Sequence, residues 1–228
     1  METEEKCKSV IESEKQELDW FMIEDAYGGN QDWMIDEWMN KGGCGALTAC
    51  DSCIYFAREM QGESKAYAGL YPYDCGNLTK EDYIRFGDVM KPYLAPRRMG
   101  INTLEIYMDG FKEYLDAAAL ESKGEDGDRC RITMSPFPGT RTLKEAKAAV
   151  KKQIDKKFPI PCLTLRHKSP NLEDYVWHWF LLIGYEELEE DMMVKAVTYG
   201  EYRWISLAEL WDTGYEEKGG LVLYEMGY

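Results

Sequence analysis

Apolar side chains recur at helical spacing in several stretches over the first two-thirds of the chain. The stretch 44–60 carries them around most of its circumference, which predicts a helix buried on most sides near the centre of a domain. Capping residues mark other helix starts: Thr142 with Glu145 three residues later forms a capping box, and Thr79 is suited to an N-cap. The helices predicted in this way span about 33–39, 44–60, 78–94, 103–120, 142–156 and 206–211.

The pattern changes after residue 158, where short runs of apolar, β-branched and aromatic residues predict strands. These strands span about 160–166, 176–184, 192–198 and 221–225. Helices first and strands last are typical of an α+β fold rather than an alternating βαβ fold. We therefore predict one domain over 19–226, with a helical lobe at about 19–157 and a β lobe at about 158–226. A flexible acidic tail is predicted for residues 1–18.

Composition and charge limit the classes of partner. The 228 residues include 27 Lys and Arg against 42 Asp and Glu, a net charge of −15, which argues against a nucleic-acid partner. The chain starts without the apolar core of a signal peptide, and its apolar runs are too short for a membrane span. These features predict a cytoplasmic protein with no membrane partner, and they leave its oligomeric state open.

The seven cysteines do not suggest a disulfide framework, because their number is odd and a chain of this length can bury a core without cross-links. Cys50 and Cys53 have the spacing of half a zinc site, but the chain holds no second pair of this kind. Buried core cysteines are the better interpretation. The sequence predicts neither a metal nor a cofactor.

Cys44 differs from the other cysteines because glycines flank it and it opens the most apolar helix. A thiol at a helix N-terminus lies near unpaired N–H groups and the positive end of the helix dipole, which favour the thiolate and lower the thiol pKa. The same N–H groups can bind an oxyanion. Cys44 is therefore a candidate nucleophile. The alternative is a buried cysteine in a glycine turn.

His178 is the natural partner for such a thiol. It lies early in an apolar strand, where an imidazole is unfavourable unless it is paired. The other histidine, His167, lies in a polar loop in which solvation explains it. A thiol beside an imidazole is the minimum arrangement for nucleophilic acyl transfer. The alternative is a core histidine that a hydrogen bond satisfies.

Three blocks occur in an order that resembles the papain-like cysteine peptidase superfamily, and within it the bacterial branch similar to bacteriocin-leader-processing (double-glycine) peptidases. They are the nucleophile block at 43–49, the strand and histidine strand at 158–165 and 177–185, and the strand with its following helix at 194–210. The resemblance covers about 28–60 and 140–226, and residues 61–139 match nothing in the family. It implies a papain-like, two-lobed α+β fold whose site lies in the cleft between the helical lobe and an antiparallel sheet.

The resemblance also implies roles for individual residues. Cys44 would be the nucleophile, His178 the acid and base, and Gln31 a donor in the oxyanion hole, with Asn40 as the alternative donor. The family expects Asp or Asn at the end of the strand that follows the histidine strand, where it orients the imidazole, and Thr198 occupies that place. A threonine hydroxyl accepts a hydrogen bond but carries no charge to stabilise an imidazolium.

Residues that flank these positions would contact the substrate. Gly43, Trp33 and Trp177 are the candidates, although packing between lobes is an alternative explanation for the aromatic residues. The sequence thus predicts a cysteine peptidase or acyl-group hydrolase that acts on a peptide or isopeptide bond. The alternatives are an acyltransferase or peptide-ligating relative, and a non-catalytic peptide-binding module with a degenerate triad.

Overall fold

The computed structural model describes residues 13–60, 62, 65–121 and 132–226, and these residues form a mixed α+β structure, as predicted. The helices are α1 (Glu37–Gly42), α2 (Cys44–Glu59), α3 (Lys80–Met90), α4 (Leu104–Glu121), α5 (Leu143–Asp155) and α6 (Leu207–Trp211). The strands are β1 (Lys15–Glu17), β2 (Met22–Ile23), β3 (Ala26–Tyr27), β4 (Ile132–Pro138), β5 (Ile160–Thr164), β6 (His178–Glu187), β7 (Met192–Thr198), β8 (Glu201–Ser206) and β9 (Gly220–Met226). Short 3-10 helices cover Gln31–Trp33, Lys65–Leu70 and Pro170–Tyr175.

Seven of the described strands form one antiparallel sheet with the order β4-β9-β5-β6-β7-β8, in which β1 also pairs with β6. The long strand β6 is central: β7 pairs along one edge, while β5 and β1 pair with successive parts of it. β2 and β3 make a separate two-stranded hairpin. Because β6 begins at His178 and β7 ends at Thr198, these two residues lie at the same end of the sheet.

Helix α2 lies at the centre of the domain, as its apolar circumference predicted. Its residues from Gly45 to Ala57 are all buried, and it packs against β6 and α3. Cys50 and Cys53 lie fully buried within it, which confirms that they are core residues. A helix enclosed in this way has little freedom to shift, so Cys44 at its start is held at a fixed place relative to β6.

The predicted division of the chain needs correction at two strands. β1 lies inside the predicted tail, where it pairs with residues Gly184 to Glu186 of β6, so the tail ends before residue 18. Residues 1–12 of that tail lie outside the described residues. β4 lies inside the predicted helical lobe and pairs along its full length with β9. It contains two prolines and is an edge strand, a position in which a strand tolerates proline.

In the part of the chain that the structure describes, every helix is too short or too polar to cross a bilayer.

Candidate active site

The nucleophile candidate Cys44 lies at the junction of two helices. Gly43 caps both α1 and α2, and its N–H donates to the carbonyl oxygen of Met39 at 2.9 Å. A Cβ at Gly43 would overlap that same carbonyl, so only glycine fits the junction. The tight junction brings Cys44 to the first turn of α2, where backbone N–H groups have no partner within the helix.

His178 is held by two neighbours from the end of β7. Its Nε2 lies 2.7 Å from Thr198 Oγ1, and its ring stacks on Tyr199 with 4.8 Å between centroids and 5° between planes. The Tyr199 hydroxyl lies 3.5 Å from Nδ1, at the limit of a hydrogen bond. Since Thr198 engages Nε2, the imidazole is oriented with Nδ1 available to exchange a proton with another group.

The structure brings the four residues with predicted catalytic roles together. Gln31, Cys44, His178 and Thr198 all line one small cavity of about 20 Å³. The first three also line an open cleft of about 590 Å³. These residues come from a 3-10 helix, the start of α2, the start of β6 and the end of β7, so the convergence is a product of the tertiary fold.

Gln31, the predicted oxyanion donor, lines the same cavity as Cys44. Its Nε2 donates to the carbonyl oxygen of Asn40 at 2.7 Å, which fixes the amide and leaves the second N–H of that group for another acceptor. The amide of Asn40 instead donates to the carbonyls of Asp32 and Met34, so this alternative donor is used within its own turn. Helix α1 accounts for the long spacing between Gln31 and Cys44.

The ionisation of the pair differs from the prediction. Burial raises the pKa of the Cys44 thiol, although the N–H groups of Trp179 and Gly45 act in the opposite direction. Burial also lowers the pKa of His178 to about 4. The prediction of a lowered thiol pKa was wrong, because desolvation outweighs the helix N–H groups. At neutral pH Cys44 is therefore a thiol and His178 a neutral imidazole.

Of the three predicted substrate contacts, only Trp177 lines the cleft. Trp177 lines the cleft with 42% of its surface exposed and adopts a φ of +53° just before β6. Trp33 is not among the described residues that line it, and it packs edge-on against Tyr83 instead. A 3-10 helix has three residues per turn, so Gln31 and Trp33 point in different directions. Gly43 also lies off the cleft, and its neighbour Gly42 lines it.

A buried carboxylate that the sequence did not single out supports the site. Asp51 of α2 accepts hydrogen bonds from the Tyr83 hydroxyl at 2.8 Å and from the Gly29 N–H at 3.2 Å. The carbonyl of Gly29 in turn accepts from the Gly200 N–H at 2.8 Å. These bonds tie the loop before Gln31 to both α2 and the turn after β7. Burial raises the pKa of Asp51 to about 7.

The loop after α3 forms one wall of the cleft and was also missed. Arg97, Arg98, Met99 and Ile101 line the cleft, and the carbonyl of Ile101 accepts a 2.6 Å hydrogen bond from Trp179 Nε1. Two consecutive arginines between a proline and a glycine were the available signal. They lie in the segment 61–139, which the family resemblance did not cover.

The cavity thus gathers the residue types that acyl transfer requires: a thiol, an imidazole, a hydroxyl within hydrogen-bond distance of that imidazole, and N–H donors. No protein-family model matches the chain, and no curated protein matches its sequence. The order of the sequence motifs and the geometry of the site therefore carry the functional argument.

Proposed function

We propose that this protein is a cysteine peptidase or related acyl-group hydrolase, with a papain-like arrangement of its helices and sheet, that cleaves a peptide or isopeptide bond. One observation carries the proposal. Gln31, Cys44, His178 and Thr198, which the motif order selects from four separate segments, line the same cavity. Acyl transfer requires such a convergence, whereas core packing does not.

The neutral pair sets the order of proton transfers. As Cys44 Sγ attacks the carbonyl carbon of the substrate, neutral His178 accepts the thiol proton, and negative charge develops on the carbonyl oxygen. The backbone N–H of Cys44 and the amide of Gln31 donate to that oxygen. His178 then gives its proton to the leaving amine and the C–N bond breaks. In the second half-reaction His178 takes a proton from water, which cleaves the thioester and regenerates the thiol.

Thr198 serves as the orienting group in this scheme. The scheme takes the His178 tautomer in which Nε2–H donates to the Thr198 hydroxyl, 2.7 Å away, which leaves Nδ1 unprotonated and able to accept the thiol proton. Thr198 supplies no negative charge, so the imidazolium that forms during attack is less stabilised than it would be beside a carboxylate. We therefore expect turnover to be slow, because a threonine stands where the family has Asp or Asn.

Two features favour a second candidate function, that of a peptide-binding module that retains the cleft without catalysis. Thr198 is uncharged, and burial shifts the pKa of Cys44 and of His178 away from the ion pair. In that case the cleft would bind a peptide without breaking a bond.

Alkylation of the thiols by a limiting amount of iodoacetamide near neutral pH tests the proposal. Cys75 is a matched internal control, because it is also half-buried and burial also raises its pKa. With His178 as an active base, Cys44 reacts at least about tenfold faster than Cys75, and the substitution H178A removes the difference. Equal rates at the two cysteines, unchanged by H178A, would refute the catalytic role.

Hydrolysis itself is measured with a mixture of peptides and mass spectrometry of the products, with C44A as the blank. Addition of a primary amine distinguishes hydrolysis from ligation, since an acyltransferase would pass the acyl group to the amine. Products that form equally with C44A would show that Cys44 does not cleave these peptides and would refute the proposal.

A further inference from the structure

The charge of the cleft is opposite to that of the whole chain. Lys41 at the end of α1, with Arg97 and Arg98 on the loop after α3, lines the cleft that holds Cys44 and His178. Among the described residues that line it, none is acidic. In a protein with a net charge of −15, three basic side chains around one opening are a local exception that favours an anionic ligand.

Both guanidinium groups are available to such a ligand. Arg97 and Arg98 are exposed, and within the described ranges neither forms a salt bridge with a carboxylate, whereas Lys41 pairs with Glu37 at 2.6 Å. A guanidinium presents a planar set of donors that matches the two oxygens of a carboxylate. The two arginines are therefore the better candidates for direct contact.

The arginines are tied to the catalytic end of the cleft. Ile101 accepts a hydrogen bond from Trp179, the residue next to His178, and a Cβ at Gly45 would lie 2.9 Å from the Ile101 side chain. The loop thus packs over the first turn of α2. Any group that binds Arg97 or Arg98 therefore lies in the same cleft as Cys44.

Apolar side chains lie beside the arginines in the same cleft. Met99 is 60% exposed and Trp177 is 42% exposed, although both are large apolar residues. Exposed apolar groups of this size in a cleft favour contact with an apolar part of a ligand. The wall therefore combines basic and apolar contacts.

A second depression, which Tyr199 also lines, has charged residues that are mainly acidic. It has a volume of about 410 Å³, and its lining includes Asp32, Asp174 and Glu201 with one basic residue, Arg203. An anionic side chain would be repelled there. The charge distribution thus gives a substrate one direction across the site, with its acidic part toward Arg97.

We infer that the substrate is an acidic peptide, in which a Glu or Asp side chain close to the bond to be cleaved binds Arg97 and Arg98 while a neighbouring apolar residue contacts Trp177 and Met99. This inference rests on the proposed function for the statement that the cleft holds a scissile bond. The preference for an acidic ligand rests on the lining residues alone.

Peptide binding to the C44A protein tests the inference without catalysis. The probes are three fluorescein-labelled hexapeptide mixtures with a fixed Glu, Gln or Lys at the fourth position, followed by fluorescence anisotropy. We expect the Glu mixture to bind at least about fivefold more tightly than the Gln mixture, with a difference that shrinks in high salt. R97Q/R98Q in the same background abolishes the preference.

The matched control is K144Q/K152Q, which removes the same charge from two exposed lysines on α5. It should retain the preference of C44A, and the thermal unfolding of both double variants should match that of C44A. Equal binding of the Glu and Gln mixtures, no measurable binding of the Glu mixture, or equal loss of the preference in both double variants would overturn the inference.

Hydrolysis of the same mixtures by the wild-type protein separates this inference from the proposed function. Acid-selective binding to C44A without cleavage by the wild type would refute the peptidase proposal and leave the acidic ligand in place. Cleavage of all three mixtures at equal rates would support the peptidase proposal and refute the acidic substrate.

Discussion

Replacement of Thr198 by valine is the most direct test of how His178 is oriented. Valine has nearly the shape of threonine, so the change removes one hydroxyl and little else. His178 is 4% exposed, and its Nε2 would lose the partner that now lies 2.7 Å away. A buried N–H without a partner costs about 1–3 kcal/mol.

The resting imidazole also donates through Nε2, so the reaction is slowed by the extra cost in the transition state, where the imidazole gains a proton and its hydrogen bond to Thr198 becomes stronger. At about 1.4 kcal/mol per tenfold change in rate, T198V should slow alkylation of Cys44 by roughly 5- to 150-fold near pH 7. T198S retains the hydroxyl and should stay within about threefold of the wild type. T133V is the matched control, since Thr133 is an exposed residue of β4 whose hydroxyl donates to the Glu225 carbonyl in β9.

The pH dependence sharpens the test. Burial raises the pKa of the Cys44 thiol, so at strongly alkaline pH the thiolate forms without the help of His178. The rates for T198V and the wild type should then converge. If T198V reacts at the wild-type rate near pH 7, or if the two rates differ equally at all pH values, Thr198 does not act through the base.

Two further expectations concern the scaffold of the site. Burial raises the pKa of Asp51 to about 7 and lowers that of His178 to about 4, so between about pH 4 and 6.5 Asp51 makes stability fall with rising pH and His178 makes it rise. In urea unfolding, D51N should therefore gain stability relative to the wild type as pH rises and H178Q should lose it, each by on the order of 3–4 kcal/mol across its window. G29A should destabilise the protein by about 1–3 kcal/mol and lower its melting temperature, because a Cβ at Gly29 would overlap the Tyr83 hydroxyl. G62A is the control, since a Cβ there meets no atom within 4 Å.

The predicted effects of pH on stability are opposite for D51N and H178Q. A stability difference from the wild type that does not change with pH, or that changes in the same direction for both variants, would contradict this prediction. Equal melting temperatures of G29A and G62A would show that the loop at Gly29 does not pack closely against Tyr83.

Local sequence patterns were sufficient for the large elements of the fold. The apolar circumference of α2 and the capping box of α5 define both helices with little reference to the rest of the chain. Strands β6 and β7 were found because they are interior strands with strong apolar runs. The edge strands β1, β4 and β8 were missed. β1 and β4 pair with strands that lie far away in sequence, and β8, which pairs with its neighbour β7, is mostly exposed and carries no strong apolar run.

The residues of the candidate site also divide into those that the sequence identified and those that it misplaced. Residue chemistry and motif order selected Cys44, His178, Gln31 and Thr198, since each choice depended on a residue type next to a recognisable helix or strand. The same reasoning misplaced Trp33, whose direction within a 3-10 helix no short motif records.

The sequence by itself determined which side chains could carry chemistry, and only the tertiary structure decided their state and surroundings. Burial reversed the predicted shift in the pKa of Cys44, and desolvation depends on atoms from several segments at once. The cleft walls at Arg97 and Arg98 and the support from Asp51 arise in the same way. Each is a through-space relation between distant parts of the chain, which no local pattern encodes.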